Sequence, residues 1–473
     1  MDLLPHLDPA SPTPLYQQLC ASFERQIAAG ELTTGERLPA TRELAGLLGL
    51  NRTTISAAYE LLEQKGLIAG HVGRGSFVAG RPAAEALDWS SLLNRPARQF
   101  AVNLVVNPAA ISFAASRPPE ELFPVEDFQR SCEEVLSSGH LDSILQLGSP
   151  GGYEPLRNYL LQQARGERVL GPDDDLLITS GCQQALDLLR RVLVRPGARV
   201  AVEDPVYPGL KNILLEGAAQ LVNYRSGRAQ IAVLTPNFQN PTGLTMPLAE
   251  REAVLQDARE NATVLIENDI YSALRYTGQP LPSLKELAPR AGTTLIRSFS
   301  KIAFPGLRLG WVIGPRPLIT ALRETKQLSD LHSDQFSQAV MLRFAESGRL
   351  AAHQANMVDA GRQRLDAALD AAARFLPAGS QWTRPEGGLN FWVTLPEGLD
   401  AAQLLERSQR EGVSYLPGEV FRVERPQHNS LRISFGGARP AQITRGIEIL
   451  GRVFSAASEV QKQAEREPVT AWV

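Results

Sequence analysis

Apolar positions change their spacing along this chain, and the changes divide it. From residue 14 onward Leu15, Leu19, Phe23 and Ile27 recur at the helical interval until Gly30. A second helix is predicted over Arg42 to Leu48 and is stopped by Gly49, and Asn51 is placed to cap a third. That third stretch, RTTISAAYELLEQKG, carries Ile55, Ala58, Tyr59 and Leu62 on one face before Gly66. Two helices joined by a short GLN turn form a helix-turn-helix, and LIAGHVGRGSFVAG reads as a hairpin with a glycine-rich tip. Residues 1–80 are therefore expected to form a winged helix-turn-helix. Residues 81–110 mix Pro, Ala, Asn and Arg without periodicity, which predicts a linker. From Ile111 short apolar runs alternate with helical segments: DLLIT, RVAVED, IAVLTP, TVLIEND, TTLIRSF and LGWVIG. This predicts an α/β domain with a mixed, mostly parallel sheet covered on both faces, spanning residues 111–455. Residues 456–473 are charged and are expected to be a loosely held tail.

Ligands of such sheets collect at the carboxyl ends of the strands, and the loops there carry distinctive side chains. TTLIRSFSKIAFPGLRLGWVIG sets Lys301 in a small-residue turn between two apolar runs, with Ser298, Ser300 and Arg308 around it. A lysine so placed can join a carbonyl compound through a Schiff base, and the hydroxyls and arginine suit a phosphate dianion. These properties point to pyridoxal 5'-phosphate on Lys301. In TSGCQQALDLL a strand enters a helix through Ser180, Gly181 and Cys182, offering free N–H groups to an anion. VEDPVYPG presents Tyr207 for stacking on a flat ring. Asn240 in QNPTG and Tyr271 in ENDIY suit a phenolic oxygen, and Asp269 is the expected partner of a protonated pyridine nitrogen.

Composition narrows the setting. The 473 residues are 43% hydrophobic and carry a net charge of -3, enough for two or three domains and unlike a polycation made for nucleic acid. Residues 1–80 hold six basic against eight acidic side chains, so any DNA binding rests on local placement. There Asn51, Arg52, Thr53 and Thr54 begin the third helix, while Gly73 and Arg74 sit on the wing. The 3 cysteines, Cys20, Cys132 and Cys182, are far apart and make no zinc motif. No leader pattern or membrane-length apolar run is evident, so a soluble cytoplasmic protein without a metal centre is expected.

The stretch from PLYQQL to GRGSFV resembles a GntR-type DNA-binding domain over nearly its whole length. That resemblance implies that Arg42, Arg52, Thr53 and Thr54, with the wing near Gly73, approach double-stranded DNA. SGCQQAL, EDPVYPG, QNPTG, ENDIY, SFSK and PGLRLGW, in that order, resemble the fold-type-I, aspartate-aminotransferase-like PLP enzymes, with a large α/β/α domain and a small α+β C-terminal domain. The resemblance implies that Lys301 forms the internal aldimine, Asp269 pairs the pyridinium, Tyr271 and Asn240 bind the phenolic oxygen, and Tyr207 stacks on the ring. Gly181, Cys182, Ser298, Ser300 and Arg308 would hold phosphate, and Arg432 in LRISFGG would bind an α-carboxylate. It also implies a homodimer.

Two departures stand out. Leu147 replaces a tyrosine that in relatives reaches the neighbouring subunit's phosphate. Ala115, Ser116 and Arg117 replace a Gly-Gly-Leu-type loop, and Arg117 is a candidate for a ligand's second charge. The combination resembles the MocR subfamily of GntR-type transcriptional regulators, which implies sensing of an amino acid, an amine or PLP through aldimine exchange at Lys301. The alternative is an active aminotransferase carrying a DNA-binding head, with Lys301, Asp269 and Tyr271 catalytic. A PLP-binding scaffold without amino-acid chemistry would leave Arg432 idle.

Overall fold

The computed structural model describes residues 7–71, 75–79, 89, 93, 110–289 and 292–466. They fall into two units, one up to residue 96 and one from residue 97. In the first, helices Leu15–Ala28, Thr41–Leu48 and Arg52–Gln64 precede a hairpin of β1 (Ile68–His71) and β2 (Gly75–Val78). The apolar faces read from the sequence meet in one core, where Leu19, Phe23, Leu44, Ile55, Tyr59 and Leu62 are buried. The Phe23 and Tyr59 rings pack edge to face at 6.1 Å. Gly49 ends the second helix at φ 67, a left-handed conformation that favours glycine, and the Asn51 side chain accepts from the Thr53 N–H at 3.2 Å. Tyr59 Oη donates to the Pro39 carbonyl at 2.8 Å and ties the third helix to the entry of the second.

The second unit begins with β3 (Ile111–Ser112) and continues into a seven-stranded sheet. Its members are β4 (Asp174–Thr179), β5 (Arg199–Val202), β6 (Gln220–Asn223), β7 (Ile231–Leu234), β8 (Val264–Asn268), β9 (Thr294–Ser298) and β10 (Gly310–Pro315). The spatial order is β4-β10-β9-β8-β7-β5-β6, and β10 alone runs against its neighbours. All six expected runs are strands. The seventh, β6, is a four-residue edge strand whose side chains are exposed or half-buried, so its sequence lacks the dense apolar signature of the others.

Side chains alternate across this sheet, and the two faces feed different cores. Val233, Ile266, Ile296 and Val312 pack under helices Cys182–Leu193, Pro208–Glu216 and Arg316–Asp330. Leu265 belongs with Ala232 and Leu234 on the reverse face. A smaller sheet of β11 (Gln381–Trp382), β12 (Asn390–Thr394), β14 (Leu416–Pro417) and β15 (Ser430–Ser434) follows, and β13 (Val413–Ser414) pairs with β3. Helices Arg349–Phe375 and Pro440–Arg466 cover it. The last helix carries residues 456–466, which the sequence reading gave to a loose tail, and Ala457 packs against the core. Of the proposed linker only residues 89, 93 and 110 are among those described. Among the described residues no helix is long and apolar enough to cross a membrane, and no group of three or more His, Cys, Asp or Glu is arranged to hold a metal ion.

Candidate functional site

Five strand ends converge on one cavity of about 580 Å³, lined among others by Lys301, Tyr207, Asn240, Tyr271, Cys182 and Arg432. Lys301 follows β9 in a short turn that Ser298 organises. The Ser298 hydroxyl donates to the Leu309 carbonyl at 2.8 Å and accepts from the Ser300 N–H at 3.0 Å. Lys301 Nζ crosses the cavity to donate to the Ser116 carbonyl at 2.6 Å and stands 6.0 Å from the centre of the Tyr271 ring.

The floor of the phosphate end is helix Cys182–Leu193. Gly181, its N-cap, has φ 84, and a β-carbon there would lie 2.6 Å from Arg308 Nη2. The bare glycine therefore lets a guanidinium close onto the helix N-terminus, which makes an anion cradle. Burial pushes the Cys182 thiol up, while Lys301 and Arg308 oppose the shift. Tyr207 caps the next helix. A β-carbon on Gly209 would come within 2.5 Å of its ring, so Gly209 gives that ring room in the cavity wall. Burial pushes the Tyr207 phenol up to about 12.

A polar chain runs from the small sheet into the cavity. Arg432 Nη1 donates to Asn240 Oδ1 at 3.1 Å, and Asn240 Nδ2 lies 3.5 Å from Tyr271 Oη. Arg432 Nη2 also donates to the Ala114 carbonyl, and its guanidinium lies 5.2 Å from the Phe421 ring centre. The side chain is 3% exposed, its Nε has no partner, and burial lowers its pKa to about 10. Among the described residues no carboxylate is within ion-pair distance of it. A buried guanidinium in that state favours an anionic ligand.

These residues fit pyridoxal phosphate. Lys301 would take its carbonyl carbon, Gly181, Cys182, Ser300 and Arg308 would hold its phosphate, Tyr207 would stack on its ring, and Asn240 with Tyr271 would meet its phenolic oxygen. When bound, the cofactor supplies an electrophilic carbon for an amino group and a conjugated ring that accepts electrons.

The geometry departs from the sequence reading at Asp269. Its side chain is turned to the reverse face, where Oδ2 accepts from Ser272 Oγ at 2.9 Å and pairs with Arg297 Nε at 3.2 Å, while Oδ1 accepts from Asn237 at 3.2 Å. It lines a second cavity with Glu167 and Arg297 rather than the one holding Lys301. The cause is strand alternation: Ile266 and Asn268 share one face of β8 and its extension, Leu265, Glu267 and Asp269 the other. Asn268, which the sequence reading passed over, is therefore the side chain that enters the Lys301 cavity. Ser298, expected on phosphate, spends its hydroxyl on the turn. Arg117 is an exposed loop residue paired with Glu120 at 2.8 Å. Thr235 and Lys211 also line the cavity and were not foreseen. Lys211 Nζ donates to the Val420 carbonyl at 2.7 Å, holding the turn beside Arg432.

In the first unit Arg42, Asn51, Arg52 and Thr53 are exposed and Thr54 is half-buried, at the start of the second and third helices. Gly73 and Arg74 lie outside the described residues.

The family profile for bacterial regulatory proteins of the gntR family matches residues 15–78, and that for aminotransferase class I and II matches residues 129–450. Aromatic-amino-acid aminotransferase 1 of Thermococcus litoralis is 35% identical over 75% of this chain and 90% of its own length. The HTH-type transcriptional regulator TauR of Rhodobacter capsulatus is 28% identical over 95% of this chain and 98% of its own. The solved structure of a multiple substrate aminotransferase from Thermococcus profundus superposes with a TM-score of 0.74 at 31% identity, covering 79% of this chain and 100% of that one. Fold and cavity together define a fold-type-I, PLP-dependent protein. The chain belongs to the aminotransferase class I and II family, and its GntR-type head sets it in the MocR subfamily of transcriptional regulators.

Proposed function

We infer that this protein is a PLP-dependent transcriptional regulator in which an amino acid or amine, captured at Lys301, alters the DNA affinity of the winged helix. One observation carries this reading: a GntR-type head over residues 15–78 shares a chain with a cavity in which Lys301 stands with the buried Arg432, which has no counter-ion among the described residues. Arg432 would hold a carboxylate while Lys301 yields its place on the cofactor to the ligand's amino group. Release of Nζ from the Ser116 carbonyl frees the 115–117 loop, and a ligand that favours one arrangement of that loop shifts the equilibrium between two states. By the same reading the protein is a homodimer whose two heads address one operator.

A second reading, a working aminotransferase, is favoured by the 35% identity to an aminotransferase and by the presence of Lys301, Tyr207, Asn240, Tyr271 and Arg432 in one cavity. Full-length protein, an amino-acid panel and labelled DNA from its own upstream region decide between them. The regulator changes DNA affinity with a particular ligand and releases no oxo acid. Rapid oxo-acid release without a change in DNA affinity would sink the regulatory reading.

A further inference from the structure

We propose that this protein sets Asn268, a neutral amide, against the ring nitrogen of its cofactor, and so keeps that nitrogen unprotonated. The inference rests on the cofactor reading and deepens it. Around a pyridoxal ring the nitrogen lies opposite the carbon that Lys301 takes, with the phosphate arm and the phenolic oxygen on the flanking positions. Once Lys301, the Gly181 and Arg308 cradle and the Asn240–Tyr271 pair are assigned, the sheet end opposite Lys301 must face the nitrogen. The polar side chains there are Thr235 and Asn268.

Asn268 is 5% exposed, and its Oδ1 is buried without a partner. Its Nδ2 is 3.4 Å from Thr235 Oγ1. Turning the amide over lets Oδ1 accept the Thr235 hydroxyl and leaves an N–H free to donate to an unprotonated nitrogen. A neutral amide cannot stabilise a pyridinium as a carboxylate does. Glu419 also lines the cavity, but it stands on the turn Gly418–Phe421 beside the small sheet, with His428 Nδ1 3.3 Å from its Oε2, and not on the strand end that carries Asn268. The carboxylates next to Asn268 in sequence are on the other face of the sheet. Asp269 is paired with Arg297, whose guanidinium burial alone would lower but which Asp269 and Glu167 hold above its ordinary value. Glu267 lies on that face too, and its carboxylate accepts from the Lys285 N–H. A ring without its proton is a weaker electron sink, so loss of a proton from the ligand's α-carbon is disfavoured while exchange of amino groups on the cofactor remains open. The site holds its ligand instead of converting it.

The test uses the full-length protein loaded with PLP carrying ¹⁵N in the ring, read by solid-state NMR. Borohydride reduction and mass spectrometry first establish the Lys301 adduct. Absence of the adduct overturns the cofactor reading itself, whereas an adduct with a protonated nitrogen overturns this inference alone. The wild type is expected to show a neutral, hydrogen-bonded ring nitrogen. Asn268→Asp should move that resonance to the pyridinium position and bring on measurable oxo-acid release, which the wild type lacks. Asp269→Asn should leave it in place. A pyridinium in the wild type that is lost in D269N, or a neutral nitrogen in both wild type and N268D, would overturn the proposal. Should D269N fail to fold, the wild type and N268D decide the matter.

Discussion

At the scale of single residues, Arg432 and Glu203 show how burial makes a side chain depend on its partner. Arg432 gives two of its donors to Asn240 and the Ala114 carbonyl, but its charge has no counter-ion among the described residues. Arg432→Gln should leave cofactor loading intact and weaken amino-acid binding roughly a hundredfold, read from ligand-induced changes in the cofactor's absorbance, because a charged hydrogen bond is worth about 1.5–3 kcal/mol. Unaltered affinity would remove Arg432 from the ligand site. Glu203 accepts from the Thr235 N–H with one oxygen, the other has no partner, and burial pushes its pKa from 4.5 up to about 7. Between those values the native state keeps a proton that the unfolded chain has released, so this group's contribution to stability falls as pH rises. Glu203→Gln keeps the acceptor and cannot titrate. Denaturation midpoints at pH 4.5 and 7 should show the wild type losing on the order of 2 kcal/mol more than the variant across that window. Lys301, Tyr207, Asn240, Tyr271 and Arg432 were legible in the sequence because each occupies a motif whose chemistry needs that residue type. Asn268 was not. A carboxylate one position along met the chemical expectation, and only the two-residue period of β8 reveals which neighbour faces the cavity.

The elements carry the site through their ends. Helix Cys182–Leu193 begins at a glycine whose missing β-carbon lets Arg308 approach, and a side chain at φ 84 would add backbone strain. Gly181→Ala should therefore displace the guanidinium, lowering PLP affinity at least tenfold in equilibrium dialysis while the fold survives at a cost of about 1 kcal/mol. Undiminished cofactor affinity would show that the cradle is not the phosphate site. In the head, helix Arg52–Gln64 starts from the Asn51 cap with Arg52 exposed in its first turn. Arg52→Ala leaves the cap in place, so it should weaken binding to the protein's own upstream DNA by roughly tenfold or more with little change in melting temperature. Equal affinity would contradict a DNA role for this helix. Element order was readable from apolar spacing throughout the head and along most of the large sheet. The short strands β3, β6 and β13 were not, because two- to four-residue segments at a sheet margin bury too little to leave a periodic signal.

Taken whole, the molecule joins a slightly acidic head to a body expected to pair with a second copy. Six basic side chains against eight acidic ones in residues 1–80 give the head little general attraction to a polyanion, so few phosphates are neutralised by each copy. On the proposed homodimer, affinity would come from two heads held on one duplex, where the second contact is made at high effective concentration. In the proposed homodimer the body would supply the pairing, and Leu145 and Leu147, 70% and 72% exposed, are apolar side chains that a second copy would shield. Sedimentation of the full-length protein with DNA from its own upstream region should give two chains per duplex. Randomising one of two half-sites, a whole number of helical turns apart, should cost at least tenfold in affinity, well above the loss from a single mismatched base pair. The salt dependence should be shallow for a dimer, with a slope in log affinity against log salt of magnitude about 5 or less. One chain per duplex would rule out the paired arrangement, and a steep slope would show that basic groups outside residues 1–80 contribute to the contact.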